Sequence, residues 1–214
     1  MKIKKLIVGP VRTNCYIAYD EESREAFLVD PGADEARILA FIRENGLTLR
    51  HILLTHSHFD HVMALAAVQK ETGAAVCVHA LESENIEKGL HPELRAMGLP
   101  AWAIEPVPVS SALADGEKLS LLGREFTVLH TPGHTQGSVC YDDGETLFSG
   151  DTLFAFSCGR TDLPGGSTAV ILESLARLAA LEGDRKVLPG HEEETTLELE
   201  RRRNPYMRGA RENP

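Results

Sequence analysis

Paired cysteines and long apolar runs are missing from this sequence of 214 residues. No two cysteines form a Cys-x-x-Cys pair, so neither a structural zinc knuckle nor a redox dithiol is indicated. No stretch approaches the roughly 18 consecutive apolar residues of a membrane-spanning helix. The run Leu6–Val8 is followed by Gly9 and Pro10, far short of the apolar core of a signal peptide. Because free thiols are typical of a reducing compartment, we expect a cytoplasmic protein without a membrane partner.

Positive charge is also scarce. Lysine and arginine number 22 against 32 aspartate and glutamate, which gives a formal net charge of −10. A surface that binds nucleic acid needs clustered basic residues. The one cluster, at residues 201–203, lies beside glutamates in a predicted helix and is interpreted as a solvated face. We therefore expect no nucleic-acid partner, while the oligomeric state is left open.

Strand and helix patterns alternate along the chain, without a linker-like stretch, and predict a single α/β domain over residues 1–214. Strands are predicted at residues 3–8, 14–19, 26–29, 52–54, 75–78, 119–122, 125–129, 138–141, 146–148 and 186–188. Helices are predicted at 63–72 and 82–88, after caps at Asp34 and Ser167, and after a capping box of Thr195 and Glu198. In the proline-rich residues 82–116, Met97 and Trp102 are interpreted as the packed core of an insertion, with a pocket wall as the alternative.

The densest polar motif is Thr-His-Ser-His-Phe-Asp-His at residues 55–61, directly after an apolar run typical of a buried strand. A lone buried histidine is commonly just a hydrogen-bonded imidazole. Three histidines and an aspartate within six positions instead indicate metal ligands. In an extended segment, alternate side chains share a side, so His56, His58 and Asp60 are expected to face one way and His61 another. One loop could thus serve two neighbouring cations.

Three further residues with ligand chemistry share a local pattern. His134, Asp151 and His191 each follow a glycine just after a predicted strand. Glycine permits the sharp turn that brings a strand-end side chain into a shared cleft. Together the seven residues offer five imidazoles and two carboxylates, which suits two ions that share a bridging carboxylate. Packing or surface roles are expected for the histidines outside this pattern, which are His51, His79, His91 and His130.

The motif His56-x-His58-x-Asp60-His61, followed by His134, Asp151 and His191, resembles the metallo-β-lactamase superfamily over nearly the whole chain. The resemblance implies an α/β fold, a four-layer αβ/βα sandwich with a dimetal cleft along one edge of its two sheets. It further implies that the first metal is bound by His56, His58 and His134. The second metal would be bound by Asp60, His61 and His191, and Asp151 would bridge the two.

Within the superfamily, the segments 148–154, 158–162 and 164–166 are similar to small glyoxalase II-like members. True β-lactamases usually lack an aspartate at the bridging position, so Asp151 argues against that branch. Only 214 − 191 = 23 residues follow His191. The helical domain that holds glutathione in full-length glyoxalase II is therefore expected to be absent, which leaves thioester hydrolysis expected and glutathione specificity open.

The resemblance thus implies a metal-dependent hydrolase in which a metal-bridging hydroxide attacks a thioester such as a 2-hydroxyacyl-glutathione. Two divalent ions are expected, with zinc favoured and iron or manganese compatible with the same ligands. Asp60 and Asp151 are the candidate catalytic residues, and Asp60 is expected to orient the hydroxide. Arg160 is a candidate to bind a substrate carboxylate, although an internal salt bridge to Asp162 or Asp30 is the favoured interpretation. Cys158 is expected to be a packed thiol.

Two other functions stay open. Glutathione persulfide dioxygenases resemble the same branch, including the stretch Cys-Gly-Arg-Thr-Asp at 158–162, and would hold one iron through His56, His134 and Asp151. A non-catalytic module with a structural metal is the second alternative. Asp151 as a bridging ligand argues against it, because structural zinc sites are normally closed at four ligands.

Overall fold

A computed structural model describes residues 1–100 and 104–212, with side chains up to residue 208. Within this part of the chain, six strands form a first sheet in chain order. They are β1 (Lys2–Val8), β2 (Thr13–Tyr19), β3 (Glu25–Val29), β4 (Thr48–Leu53), β5 (Ala75–His79) and β6 (Ser111–Leu113). The pairs β1–β2 and β2–β3 are antiparallel, and the pairs from β3 to β6 are parallel. Trp102 lies outside the described residues.

A second sheet of six strands has the order β14-β13-β10-β9-β8-β7. Its strands are β7 (Lys118–Leu121), β8 (Arg124–His130), β9 (Val139–Asp142), β10 (Thr146–Gly150), β13 (Lys186–Pro189) and β14 (Thr195–Thr196). Between β10 and β13 the chain adds a small hairpin of β11 (Leu153–Phe154) and β12 (Ser157–Cys158). Strands β10 and β13 are parallel, while β9 is antiparallel to both β8 and β10.

Helices cover the outer face of each sheet. Those of the first half are α1 (Glu35–Glu44), α2 (Phe59–Val62), α3 (Leu65–Thr72), α4 (Ala80–Lys88) and α5 (Pro92–Ala96). Those of the second half are α6 (Thr168–Ala179), α7 (Leu197–Arg203) and α8 (Pro205–Glu212). None of the helices in the described residues is long and apolar enough to cross a membrane.

Three buried apolar clusters hold the layers together. The central cluster joins the two sheets through aromatic rings, and Phe27 packs edge-to-face on Phe126 and Phe148 with centroids 5.4 and 5.9 Å apart. One outer cluster packs α1 and α3 on the first sheet, and the other packs α6, α7 and α8 on the second. Such helix–sheet–sheet–helix layering buries both faces of both sheets. The sequence prediction of a four-layer αβ/βα sandwich is therefore confirmed.

Two predicted helix caps are wrong in detail. Asp34 precedes α1 in a left-handed conformation (φ +58°) and makes no side-chain cap; its carboxylate instead accepts a hydrogen bond from the Gly9 amide at 3.2 Å. The cap of α7 is Thr196, whose hydroxyl accepts from the Leu199 amide, and not Thr195. Ser167 does cap α6, as predicted, by accepting from the amide of residue 170.

The proline-rich segment 82–116 packs in part as predicted. Ile86, Leu94 and Val107 are buried, and Met97 is exposed and lines a cavity. The predicted helix 63–72 is shorter than expected and begins at Leu65. The core interpretation is therefore wrong for Met97, which fits the pocket-wall alternative, although other apolar residues of this segment are packed.

Candidate metal centre

The seven candidate ligands lie together at one edge of the sandwich, where strands from both sheets end. His56 and His58 follow β4, and the next two candidates lie on α2. His134, Asp151 and His191 follow β8, β10 and β13, which run in the same direction within the second sheet. Because parallel strands end at the same edge of a sheet, residues far apart in sequence meet there.

Three sets of three side chains are close enough to hold a metal ion, with ligand atoms within 4.8 Å of one another. The sets are His56–His58–His134, His56–His61–Asp151 and Asp60–His61–His191. The structure therefore brings together every ligand that the sequence predicts. The Nε2 atom of His134 lies 2.8 Å from Nδ1 of His58, and Nε2 of His191 lies 3.2 Å from a carboxylate oxygen of Asp60.

Asp151 lies between the sets His56–His58–His134 and Asp60–His61–His191, which we call the two outer sets. One of its carboxylate oxygens is 3.5 Å from Nε2 of His134 and 3.5 Å from Nε2 of His191. The other oxygen is 3.4 Å from Nε2 of His61. A carboxylate flanked in this way by imidazoles on both sides can bridge two cations.

Two atoms of the cluster are buried without a hydrogen-bond partner. Among the described residues, Nε2 of His56 and Oδ1 of Asp151 are enclosed and unpaired. Buried polar atoms are ordinarily satisfied, and an unpaired one indicates a missing partner such as an ion. Together with the donor set of imidazoles and carboxylates, these orphaned atoms show that the residues present fit divalent cations.

Without an ion, the electrostatics of the cluster favour neutral imidazoles at His56 and His58 and a charged one at His61. Burial, reinforced by neighbouring histidines, lowers the pKa of His56 and of His58 well below the ordinary value. A neutral imidazole keeps the lone pair that a metal requires. Burial also opposes charge on His61, yet Asp151, Asp60 and Asp30 together raise its pKa to about 10. For Asp60, burial is outweighed by His61 and His191, so its pKa lies below the ordinary value.

Asp30 supports the cluster from outside, and sequence reasoning missed this role. Its Oδ2 atom lies 3.0 Å from Nδ1 of His61 and accepts a hydrogen bond from the Thr55 hydroxyl at 2.7 Å. Carboxylates behind metal-binding histidines fix the ring orientation and raise its basicity. The available signal was an aspartate at the end of a buried strand, before Pro31 and Gly32.

Two further contacts orient candidate ligands. The Thr13 hydroxyl donates to a carboxylate oxygen of Asp60 at 2.9 Å. Nδ1 of His134 lies 2.8 Å from the backbone carbonyl of Arg160, which leaves Nε2 for the cluster. Neither Thr13 nor that carbonyl was predicted, because both contacts join segments far apart in sequence.

Glycine is required at the strand ends for two different reasons. Gly150 has a φ of +48°, as a sharp turn before Asp151 demands. A Cβ atom at Gly190 would lie 2.1 Å from Oδ1 of Asp151 and 2.8 Å from Cε1 of His61. The glycine before His191 is therefore needed for close approach.

The prediction that His56, His58 and Asp60 face one way is wrong, because the extended backbone ends at His58. The chain turns into the short helix α2 at Phe59, so Asp60 falls in a different set from His56 and His58. The backbone amide of Phe59 donates to the buried carboxylate of Glu93 at 3.0 Å, which accounts for the helix starting there. The loop nevertheless supplies residues to both outer sets.

A cavity of about 300 Å³ opens in front of the cluster. Most of its other lining is apolar and comes from Val11, Phe59, Met97, Phe154 and Leu163. Charged residues of the lining outside the cluster are Glu93, Arg160 and Glu192. Pockets of this kind, with few polar groups in an apolar wall, are typical of small-molecule sites.

Arg160 lines this cavity and forms a bidentate salt bridge with Asp162, in which Nε and Nη2 donate to the two carboxylate oxygens at 2.7 and 2.8 Å. The predicted salt bridge to Asp162 is confirmed, and Asp30 has other partners. Cys158 is half-buried, and burial raises the pKa of its thiol to about 11, as expected of a packed thiol.

The remaining histidines lie outside the three metal-compatible sets in the described chain. His79 stacks on His130 with ring centroids 4.2 Å apart, and His91 hydrogen-bonds Glu93. The prediction of packing or surface roles for them agrees with these contacts.

A family model described as the metallo-beta-lactamase superfamily matches residues 8–191. The chain belongs to this superfamily. Among its relatives, the probable metallo-hydrolase YqgX of Bacillus subtilis is 34% identical over 213 residues, which cover 98% of this chain and 99% of that one. The hydroxyacylglutathione hydrolase GloC of Haemophilus influenzae is 33% identical over 210 residues, with 97% and 98% covered.

Solved structures of the superfamily superpose on the chain over almost its full length. The BLEG-1 B3 metallo-beta-lactamase gives a TM-score of 0.85 at 34% identity, with 96% of this chain and 99% of that chain covered. TTHA1623 in a di-iron-bound form gives a TM-score of 0.82 at 40% identity, with 95% of this chain and 99% of that chain covered. ETHE1 from Myxococcus xanthus gives a TM-score of 0.77 at 28% identity, with 98% of this chain and 85% of that chain covered.

Proposed function

We propose that this superfamily member is a metal-dependent hydrolase that cleaves thioesters, with a 2-hydroxyacyl-glutathione as the first substrate to test. The observation that carries the proposal is the position of Asp151, within 3.5 Å of imidazole nitrogens from both outer sets. A carboxylate shared between the two sets suits a pair of cations, and a site for one cation does not require it. The similarity to the relative named a hydroxyacylglutathione hydrolase supports the thioester as substrate class.

Each candidate ligand has a proposed role. His56, His58 and His134 would hold one divalent cation, and Asp60, His61 and His191 would hold the other. Zinc is the favoured metal, and iron or manganese would suit the same donors. The similar structure that carries two iron ions supports a pair of ions without identifying the metal in this chain.

When bound, divalent cations would lower the pKa of a bound water molecule to about 7 and would stabilise a carbonyl oxygen that gains charge. The chain's own residues complete the chemistry. Asp60, whose carboxylate accepts a hydrogen bond from the Thr13 hydroxyl, would orient the attacking oxygen. A thiolate leaving group has a conjugate acid of pKa about 8.5, so it needs little help from a general acid.

A substitution of Asp60 separates this orienting role from metal binding. We expect Asp60→Asn to lose turnover by about 100-fold or more while retaining most of its metal, because an amide oxygen can still be a ligand. Steady-state kinetics and elemental analysis of the same preparation measure both quantities. Retained turnover would contradict the role of Asp60.

Arg160 is proposed to bind a carboxylate of the substrate after it separates from Asp162. Its guanidinium is half-exposed, so exchange of one carboxylate for another is sterically open. We expect Arg160→Gln to raise KM several-fold for a glutathione thioester and to leave KM unchanged for a thioester without carboxylates. Equal effects on both substrates would assign Arg160 to structure alone.

The main alternative is a dioxygenase that acts on a glutathione persulfide with a single iron ion. His56 and Asp151 belong to one metal-compatible set, and His134 is 3.5 Å from Asp151, so such a site could form. Two measurements test the proposal. The first is elemental analysis of the isolated protein, and the second is a hydrolysis assay with thioester, lactone and β-lactam substrates in the presence of matched metals. We expect thioester hydrolysis with two ions per chain. Oxygen uptake with a glutathione persulfide under iron loading, without hydrolysis, would favour the alternative.

A further inference from the structure

One buried carboxylate in the cavity has no part in holding the proposed cations. Glu93, on α5, lines the cavity beside His58 and Asp60, and it also lines a neighbouring cavity of about 220 Å³. Its side chain is only 4% exposed. Burial of a carboxylate is costly unless hydrogen bonds compensate. The hydrogen bonds that the Glu93 carboxylate already accepts therefore determine whether it can bind a further donor.

Both hydrogen bonds to Glu93 go to the same oxygen. Oε1 accepts from the Phe59 amide at 3.0 Å and lies 3.1 Å from Nδ1 of His91. Oε2 has no hydrogen bond from the residues that the structure describes, and it is not among the fully enclosed unpaired atoms. The carboxylate is thus fixed through Oε1, and Oε2 has no donor among the described residues and can accept a hydrogen bond from a molecule in a cavity that Glu93 lines.

The other charged groups of the lining are less suited to hold a substrate rigidly. Arg160 is engaged by Asp162 and is half-exposed, and Glu192 lies on the exposed rim. The remaining wall outside the cluster is apolar. The rigid polar group of this cavity is therefore the Glu93 carboxylate, a hydrogen-bond acceptor that can bind a donor on the substrate. A volume of about 300 Å³ suits a compact group.

We propose that Glu93 is a specificity-determining residue that accepts a hydrogen bond from the hydroxyl group of a 2-hydroxyacyl thioester. The inference rests on the proposed function and adds to it the residue that selects the acyl group. His91 is a positioning residue, because its ring holds the carboxylate through Oε1. A plain acyl thioester would leave Oε2 of Glu93 without its partner, which is costly for a buried charged acceptor.

The test compares two substrates that differ in one oxygen atom. S-lactoyl and S-propionyl thioesters of the same thiol are assayed with the metal-loaded wild-type protein and with Glu93→Gln. The glutamine keeps an oxygen for the Phe59 amide and removes the negative charge. We expect the wild type to prefer the lactoyl thioester in kcat/KM by about tenfold or more, and the variant to lose most of that preference. Metal content and Tm should be unchanged.

Two further variants complete the design. Glu192→Gln removes a charge from the rim of the same cavity and should keep the preference. If glutamine at position 93 impairs folding, Glu93→Asp retains the charge but withdraws it by one methylene group, and it too should lose the preference. A wild type that hydrolyses neither thioester overturns both proposals. Wild-type hydrolysis without a preference, or with a preference that Glu93→Gln retains, overturns the role of Glu93 alone.

Discussion

The metal centre depends on single residues that are not themselves candidate ligands, and Asp30 is the strongest case. It is almost fully buried and joins the Thr55 amide and hydroxyl to the ring of His61. We expect Asp30→Asn to weaken metal binding by about 10- to 100-fold, because an amide orients and polarises the imidazole less well than a carboxylate. Competition with a coloured chelator measures the affinity. The matched control is Asp20→Asn at an exposed turn, and equal affinities in both variants would contradict the role of Asp30.

Gly190 gives a second prediction at this scale. A methyl group there would collide with Oδ1 of Asp151 and with the ring of His61. We expect Gly190→Ala to lose most of its bound metal, because both side chains would have to move. The control is Gly144→Ala, which meets nothing within 4 Å but has a φ of +87° and should cost about 1–2 kcal/mol of stability. Elemental analysis and urea unfolding of both variants provide the readouts.

Residue chemistry made the candidate ligands predictable, since the pattern of histidines and aspartates after strand ends is local in sequence. Asp30 was not predictable in the same way, because its partners Thr55 and His61 lie 25 and 31 residues away. Glu93 was missed for the same reason, since its partner Phe59 lies 34 residues away. Contacts of this kind are set by tertiary packing, which periodicity does not record.

At the scale of elements, Glu200 ties α7 to its surroundings. The carboxylate is fully buried and accepts hydrogen bonds from the Thr195 hydroxyl, the Phe156 amide and the Asn204 side chain. We expect Glu200→Ala to lower the free energy of unfolding by about 2–4 kcal/mol, because three donors lose a fully buried acceptor. The control Thr196→Ala removes only a helix cap and should cost about 1 kcal/mol. Urea unfolding of both measures the difference, and equal costs would contradict this account.

The same contacts explain why the capping box was predicted one residue too early. Thr195 precedes α7 in a pattern that suits a cap, but tertiary structure uses its hydroxyl for Glu200. The short helix α2 escaped prediction because four residues carry no helical periodicity. Long strands and helices, by contrast, have enough repeats for their apolar pattern to be read, and their predicted positions agree with the structure to within a few residues.

For the whole molecule, the proposed cations connect the two sheets. His56 and His58 come from the first sheet, whereas Asp151 and His191 come from the second. We expect chelation of the metal-loaded protein to lower Tm by roughly 10 °C, because a cation at 1,000 times its Kd adds about 4 kcal/mol to the native state. Scanning calorimetry with and without chelator measures the shift. Chelation should lower the Tm of Asp151→Asn by less than that of the wild type. An unchanged wild-type Tm on chelation would contradict the proposal that the cations connect the two sheets.

The arrangement of layers was predictable only in part from the chain itself. Alternating strand and helix patterns predict an α/β protein, but they do not decide which strands pair. The order of the second sheet, in which β13 lies beside β10, is set by a crossover through α6. The four-layer sandwich came from the resemblance of the ligand motif to a known superfamily, and the interleaved aromatic rings of Phe27, Phe126 and Phe148 show how the two sheets are packed.

The measurement that tests the account most directly is anomalous X-ray diffraction from crystals of the protein as isolated, with data on both sides of the zinc, iron and manganese edges. We expect two peaks about 3.5–4 Å apart, one beside His56, His58 and His134 and the other beside Asp60, His61 and His191, with Asp151 between them. A single peak beside His56, His134 and Asp151, with no metal at the second position after zinc soaking, would contradict a two-cation hydrolase.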